Sequence, residues 1–100
     1  MQQTSLVNQS NRSRMLHFLA NPQLWQHWPF LPVVRRRPGC GEELGVVCDA
    51  LHALGVPGHS CTVFLTNLFL LPPTAAEFLA LPAEVFDTPE ELADAGWLVD

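Results

Sequence analysis

An apolar run near the middle of the chain, CTVFLTNLFLL at residues 61–71, constrains the fold more than any other segment. It is rich in β-branched and aromatic side chains, although Thr66 and Asn67 interrupt its later part. A short apolar run of this kind is typical of a strand that is buried on both faces. The run therefore predicts a core strand over residues 60–71.

Two further extended segments precede this strand, and turns rich in glycine and proline separate them. Residues 30–37 contain Pro32, which cannot donate a hydrogen bond to an interior ladder, so this segment is predicted to lie at a sheet edge. Residues 44–51 fit either a strand or a helical stripe, and Gly45 with its β-branched neighbours favours the strand. With residues 60–71, these segments predict a small antiparallel β-meander of about three strands within an α+β fold.

The N-terminal part of the chain changes character at Met15. Residues 1–14 are polar and lack apolar periodicity, which predicts a disordered N-terminal tail and makes Met15 a candidate translation start. Leucines and tryptophans then recur at helical spacing up to Trp28, which predicts short helical turns. Residues 15–100 are therefore expected to form a single small α+β domain.

Two short helices are predicted in the C-terminal quarter. Thr74 and Thr88 are each followed three residues later by a glutamate, which is the capping-box pattern at a helix start. Residues 97–100 are predicted to return as a short fourth strand at an edge of the sheet. Either this segment or a second copy of the chain is expected to cover residues 67–71, which have no partner in the meander. The apolar side chains predicted to form the core are Val47, Leu51, Val63, Phe64, Leu65, Leu68, Phe69, Phe78 and Trp97.

Charge is divided along the chain. All five arginines precede residue 42, and all ten acidic residues lie at or after it. The two groups could neutralise each other within one molecule or between two molecules. Only 15% of the residues are charged, which leaves an apolar surface suited to protein contact.

Two features predict a cytoplasmic protein without a membrane span. The apolar runs are shorter than the roughly 20 residues that a transmembrane helix requires. The three cysteines, an odd number without a dense framework, suit reduced thiols better than a disulfide scaffold.

Four soft or borderline metal ligands lie close together in the sequence: Cys48, His52, His59 and Cys61. If residues 44–52 and 59–67 form a hairpin, all four side chains lie on one face of it, with His52 opposite His59. Thiolate and imidazole ligands suit zinc, but the spacing matches no standard zinc motif. The alternative is that the cysteines are small buried apolar residues and the histidines lie in a solvated loop.

Two groups of residues are candidates for contact with another macromolecule. Arg35, Arg36 and Arg37 could contact the phosphates of a nucleic acid, although a net charge of -5 opposes such binding. Their alternative role is to pair with acidic residues of a protein. Trp25 and Trp28 could form an aromatic surface for a peptide, or they could close the core.

No nucleophile, base and oxyanion site can be assembled from the sequence, so it does not indicate an enzyme. We expect a non-enzymatic protein-interaction module that self-associates as a homodimer. The alternatives are a metal-binding or thiol-active module that uses the Cys/His cluster, and a nucleic-acid-associated protein that uses the arginine run.

Overall fold

The computed structural model describes residues 2–100, with side chains described from residue 10 onward. Helix α1 spans Gln2–Ala20, and a 3₁₀ turn follows at Pro22–Leu24. The strands are β1 (Phe30–Arg37), β2 (Gly41–Cys48), β3 (Thr62–Phe64), β4 (Ala83–Val85) and β5 (Leu98–Val99). The remaining helices are α2 (Ala50–Leu54), α3 (Ala75–Leu79) and α4 (Pro89–Asp94), and a second 3₁₀ turn lies at Leu68–Leu70.

The five strands form one antiparallel sheet in the order β4-β3-β2-β1-β5. The predicted α+β class is therefore confirmed, and the sheet has one strand more than the most that the sequence predicted. Strands β1 and β2 form a long hairpin in which Phe30 pairs with Cys48 and Arg37 pairs with Gly41. Gly39 and Gly41, with φ of 78° and 69°, allow the tight connection between them.

Alternation along β1 and β2 sends side chains to both faces of the sheet, and each face has its own core cluster. Helices α1 and α4 contact each other, and α1 also contacts β5. The first cluster contains Met15, Trp25, Leu31, Val33, Val47, Val63, Leu92, Ala93 and Trp97. The second cluster contains Val46, Cys48, Ala50, Phe64 and Phe78. Two thin cores, one on each face of a single sheet, hold this small domain together.

The predicted long strand over residues 60–71 is confirmed only at Thr62–Phe64. Strand β3 ends at Phe64, and the chain then bends into the 3₁₀ turn. The physical reason is local hydrogen bonding, because the Asn67 side chain accepts the Phe69 backbone N–H and the Thr66 hydroxyl donates to the Leu70 carbonyl. Such bonds offer the backbone an alternative to the ladder. Consequently Leu65 and Phe69 are exposed, as is Leu51 of α2, although all three were predicted to be core residues.

Other sequence predictions about the core and the edges have mixed outcomes. Val47, Val63, Phe64, Phe78 and Trp97 are buried as predicted, whereas Leu68 is only half-buried. The choice of a strand over the segment at 44–51 is confirmed as far as Cys48, after which α2 begins.

Two predictions about the edges of the sheet need correction. The C-terminal segment does form a strand, but β5 pairs with Val33 and Val34 of β1 rather than with residues 67–71. Because β5 pairs with one side of β1 and β2 with the other, β1 is not the edge strand that the sequence predicted. Pro32 is tolerated there because it serves as an acceptor, and its carbonyl receives the Asp100 N–H at 3.0 Å.

Helix α1 begins at Gln2, within the segment that the sequence predicted as an N-terminal tail. Two arginines hold this helix to the C-terminal elements. Arg12 Nε lies 2.8 Å from Asp94 Oδ1, and Arg14 donates to the Val99 carbonyl at 3.4 Å. These partners are more than 80 residues away in sequence, so local composition could not reveal them.

Both predicted C-terminal helices are present. Thr74 accepts the Glu77 N–H at the start of α3, and Thr88 accepts the Glu91 N–H at the start of α4. In α4 the glutamate carboxylate accepts the Asp87 N–H, one residue before the expected cap. Strand β4, which lies between these helices, was not predicted.

Candidate functional site

Arg35 lies at the centre of a buried ionic cluster between β1, β2 and β4. It is only 5% exposed, and its guanidinium donates to both oxygens of Glu84 and to Glu43 Oε2 at 2.9 Å. The guanidinium also stacks over the Trp97 ring at 4.3 Å, and the indole N–H donates to Glu84 Oε1. This residue is therefore part of the core and is not available to a partner.

Arg35 and the two glutamates stabilise each other's charged forms. Hydrogen bonds from Arg35 hold the pKa of Glu84 and the pKa of Glu43 below the usual range of a glutamate, against the opposing effect of burial. In return, the hydrogen bond to Glu84 raises the pKa of Arg35. All three groups are consequently ionised at neutral pH.

The two neighbouring arginines also pair within the chain. Arg36 lies 3.0 Å from Glu42, and Arg37 Nε lies 2.7 Å from Glu43 Oε1. The β1–β2 register brings these partners face to face. The positive charges of the arginine run are thus neutralised within one molecule, because each of its three guanidinium groups has a carboxylate partner in the same chain.

The two tryptophans predicted to form one aromatic surface lie in different environments. Trp25 is buried in the first core cluster and donates its indole N–H to the Phe18 carbonyl at 2.7 Å. Trp28 is 48% exposed and donates its indole N–H to Asp49 Oδ2 at 2.9 Å. Asp49 also contacts the Nδ1 atom of His52 at 3.0 Å. Trp28, Asp49 and His52 therefore form a small surface constellation.

The structure does not gather the four predicted metal ligands. The hairpin register that placed His52 opposite His59 is wrong, because α2 occupies that part of the chain and Gly55 ends it in the left-handed region. Cys48 is buried, and its burial raises the pKa of the thiol to about 11. His59 lies against the Phe64 ring, and Cys61 contacts Ser60. Among residues 2–100, no group of three or more His, Cys, Asp or Glu side chains is placed to hold a metal ion.

The sequence missed the most exposed large apolar side chain among residues 10–100, which lies in the 3₁₀ turn Leu68–Leu70. Phe69 is 96% exposed and Leu70 is 69% exposed. Phe69 also lines a hollow of about 350 Å³ whose other walls include the apolar residues Pro32, Val33, Leu44 and Leu68 and the polar residues His27, Asn67 and Asp100. The name Phe69 patch is used below for five apolar residues: Pro32, Leu44, Leu68, Phe69 and Leu70.

The Phe69 patch is held in place by hydrogen bonds on both sides of Phe69. The Phe69 N–H donates to Asn67 Oδ1 at 2.9 Å, and the Leu70 N–H donates to the Asn67 carbonyl at 3.1 Å. These bonds fix the backbone of the turn from which the Phe69 and Leu70 side chains project. The available sequence signal was the polar pair Thr66-Asn67 inside an apolar run, since such residues favour turns over strands.

Within the part of the chain that the structure describes, no helix has both the length and the apolar character needed to cross a membrane. Comparisons with protein-family models, with curated proteins and with solved structures found no match to this chain.

Proposed function

We propose that this protein is a non-enzymatic protein-interaction module that binds through the Phe69 patch. The observation that carries the proposal is the exposure of Phe69, at 96% of its surface, on a turn fixed by hydrogen bonds. Aromatic side chains supply a large contact area and are common anchors at the centre of interfaces. A fixed turn lowers the entropic cost of placing such an anchor in a partner.

A second copy of the chain is the partner that we propose. The Phe69 patch contains both a projecting ring and an adjoining apolar hollow, so two copies related by a two-fold axis can offer each other the same pair of features. An isologous interface requires this kind of self-complementary surface. Pairing of the arginine run within the chain supports the choice, because these arginines are then not needed for the contact, which would be mainly apolar with Asp100 also lining the hollow.

The test is the mass of the protein in solution. We expect light scattering at about 100 μM to report a dimer, which the change Phe69→Ser converts to a monomer, since removing an interface anchor typically costs 2 kcal/mol or more. Val85→Ser is the matched control, because Val85 is also exposed but lies on β4, outside the Phe69 patch. A wild-type protein that stays monomeric under these conditions contradicts self-association.

The cellular setting forms part of the same proposal. We propose that the module works in the cytoplasm, and the odd number of cysteines supports this. Native mass spectrometry of the protein as purified shows whether the thiols are reduced and whether the protein is a dimer, and it also reports any bound zinc.

A further inference from the structure

An open cleft of about 480 Å³ lies beside Trp28 and is independent of the Phe69 patch. Its walls are formed by Pro22, Gln23, Trp28, Asp49 and His52. None of these residues lines the hollow at Phe69. About half of the Trp28 surface is accessible, so its indole ring is available to a ligand in this cleft.

The indole ring of Trp28 is fixed by a charged partner. Its N–H donates to Asp49 Oδ2 at 2.9 Å, and the Asp49 side chain is only 9% exposed. A hydrogen bond to an anionic acceptor increases the electron density of the indole ring. Trp is already the aromatic side chain that attracts cations most strongly. The fixed ring is therefore a preorganised platform for a positive charge.

The charge balance of the cleft also favours a cation. Burial alone would raise the pKa of Asp49, but the hydrogen bonds from Trp28 and His52, with the charge interaction of His52, together lower it, so this carboxylate is ionised at neutral pH. The walls of the cleft, all within the described residues, include no arginine. Four of the five arginines are already paired with carboxylates elsewhere: Arg12, Arg35, Arg36 and Arg37. The chain as a whole carries a net charge of -5.

We propose that the Trp28 cleft binds an organic cation, an alkylammonium or guanidinium group, with Trp28 as its aromatic platform and Asp49 as its counter-charge. The same chemistry is found in free quaternary ammonium compounds and in the side chains of lysine and arginine. The experiment therefore includes one probe from each source.

The probes are choline and N-acetyl-arginine amide, each compared with a neutral counterpart of similar shape. The counterparts are 3,3-dimethylbutan-1-ol and N-acetyl-citrulline amide. The readout is the indole N–H signal of Trp28 in a ¹H–¹⁵N spectrum, identified by its loss in Trp28→Phe. We expect a saturable shift with at least one cation, and affinity about fivefold weaker for its neutral counterpart. The cation that binds more tightly shows whether the cleft prefers a free quaternary ammonium compound or the side chain of a basic residue.

Two variants test the assigned roles. Asp49→Asn keeps an oxygen acceptor for the indole N–H but removes the charge, so the affinity for the cation should fall about fivefold. Phe69→Ala is the control and should bind the cation as the wild type does. Equal binding of cation and neutral counterpart, unchanged affinity in a folded Asp49→Asn protein, or the absence of any shift up to about 100 mM would overturn the proposal.

Discussion

Replacement of Arg35 by methionine tests the idea that the buried ionic cluster holds β1, β2 and β4 together. Methionine fills most of the same space, but it leaves the carboxylates of Glu43 and Glu84 without their main partner. Removing one member of a buried ion pair typically costs about 3 to 5 kcal/mol. Both carboxylates are about 30% exposed and Arg37 remains close to them, so we expect a loss near the lower limit.

Arg36→Met is the matched control, since it makes the same change one residue further along β1. Arg36 is exposed and pairs only with Glu42, so its loss should cost about 0 to 1 kcal/mol. Urea denaturation at neutral pH measures both free energies of unfolding. Against a total stability of about 5 to 15 kcal/mol, the Arg35 effect is large enough to resolve. If the two variants lose similar amounts, Arg35 is not the centre of the cluster.

The pH dependence provides a second measurement on the same pair of proteins. The pKa values of Glu43 and Glu84 are lowered in the folded state, so their contribution to stability is present above the ordinary value of 4.5. It is lost as the pH falls through the lowered values. In the Arg35→Met protein the part of this contribution that comes from Arg35 is already missing, and only the part from Arg37 remains. The difference between wild type and variant should therefore be largest at neutral pH and shrink below pH 4.5, and a constant difference would refute the ionic explanation.

Three further substitutions test the packing and the helix starts. Gly45→Ala should destabilise by about 1 to 3 kcal/mol, because a Cβ atom there would lie 2.5 Å from a methyl carbon of Val63, and an unchanged melting temperature would contradict that close contact. Phe64→Ala should cost about 3 to 5 kcal/mol, whereas Phe69→Ala, compared at low protein concentration, should be nearly neutral; chemical denaturation that ranks them equally would place Phe69 in the core. Thr88→Ala should lose a helix cap worth about 1 kcal/mol, which thermal unfolding can detect, and no loss would mean that the cap is dispensable.

The sequence alone determined the features that depend on near neighbours. Thr74 and Thr88 mark the starts of α3 and α4 because a cap needs only a hydroxyl and a backbone N–H within one helical turn. The β1–β2 hairpin was predictable for a similar reason, since two extended segments joined by a turn rich in proline and glycine form it locally. The α+β class followed from these elements.

The Phe69 patch was only partly predictable from the sequence. The apolar run at residues 61–71 indicated a core strand, yet the hydrogen bonds of Asn67 turn its second half outward and expose Phe69. Hydrophobicity alone does not distinguish a core strand from a displayed contact surface. That distinction depends on whether the rest of the fold covers the segment.

Tertiary structure decided everything that depends on distant partners. Glu84 reaches Arg35 from 49 residues away, through a β4 strand that no local pattern marked. Asp49 meets Trp28 only because the turn before β1 and the start of α2 come together at one end of the β1–β2 hairpin. The physical reason is that sheet register fixes which side chains meet, and register is set by the packing of the whole chain rather than by any single segment.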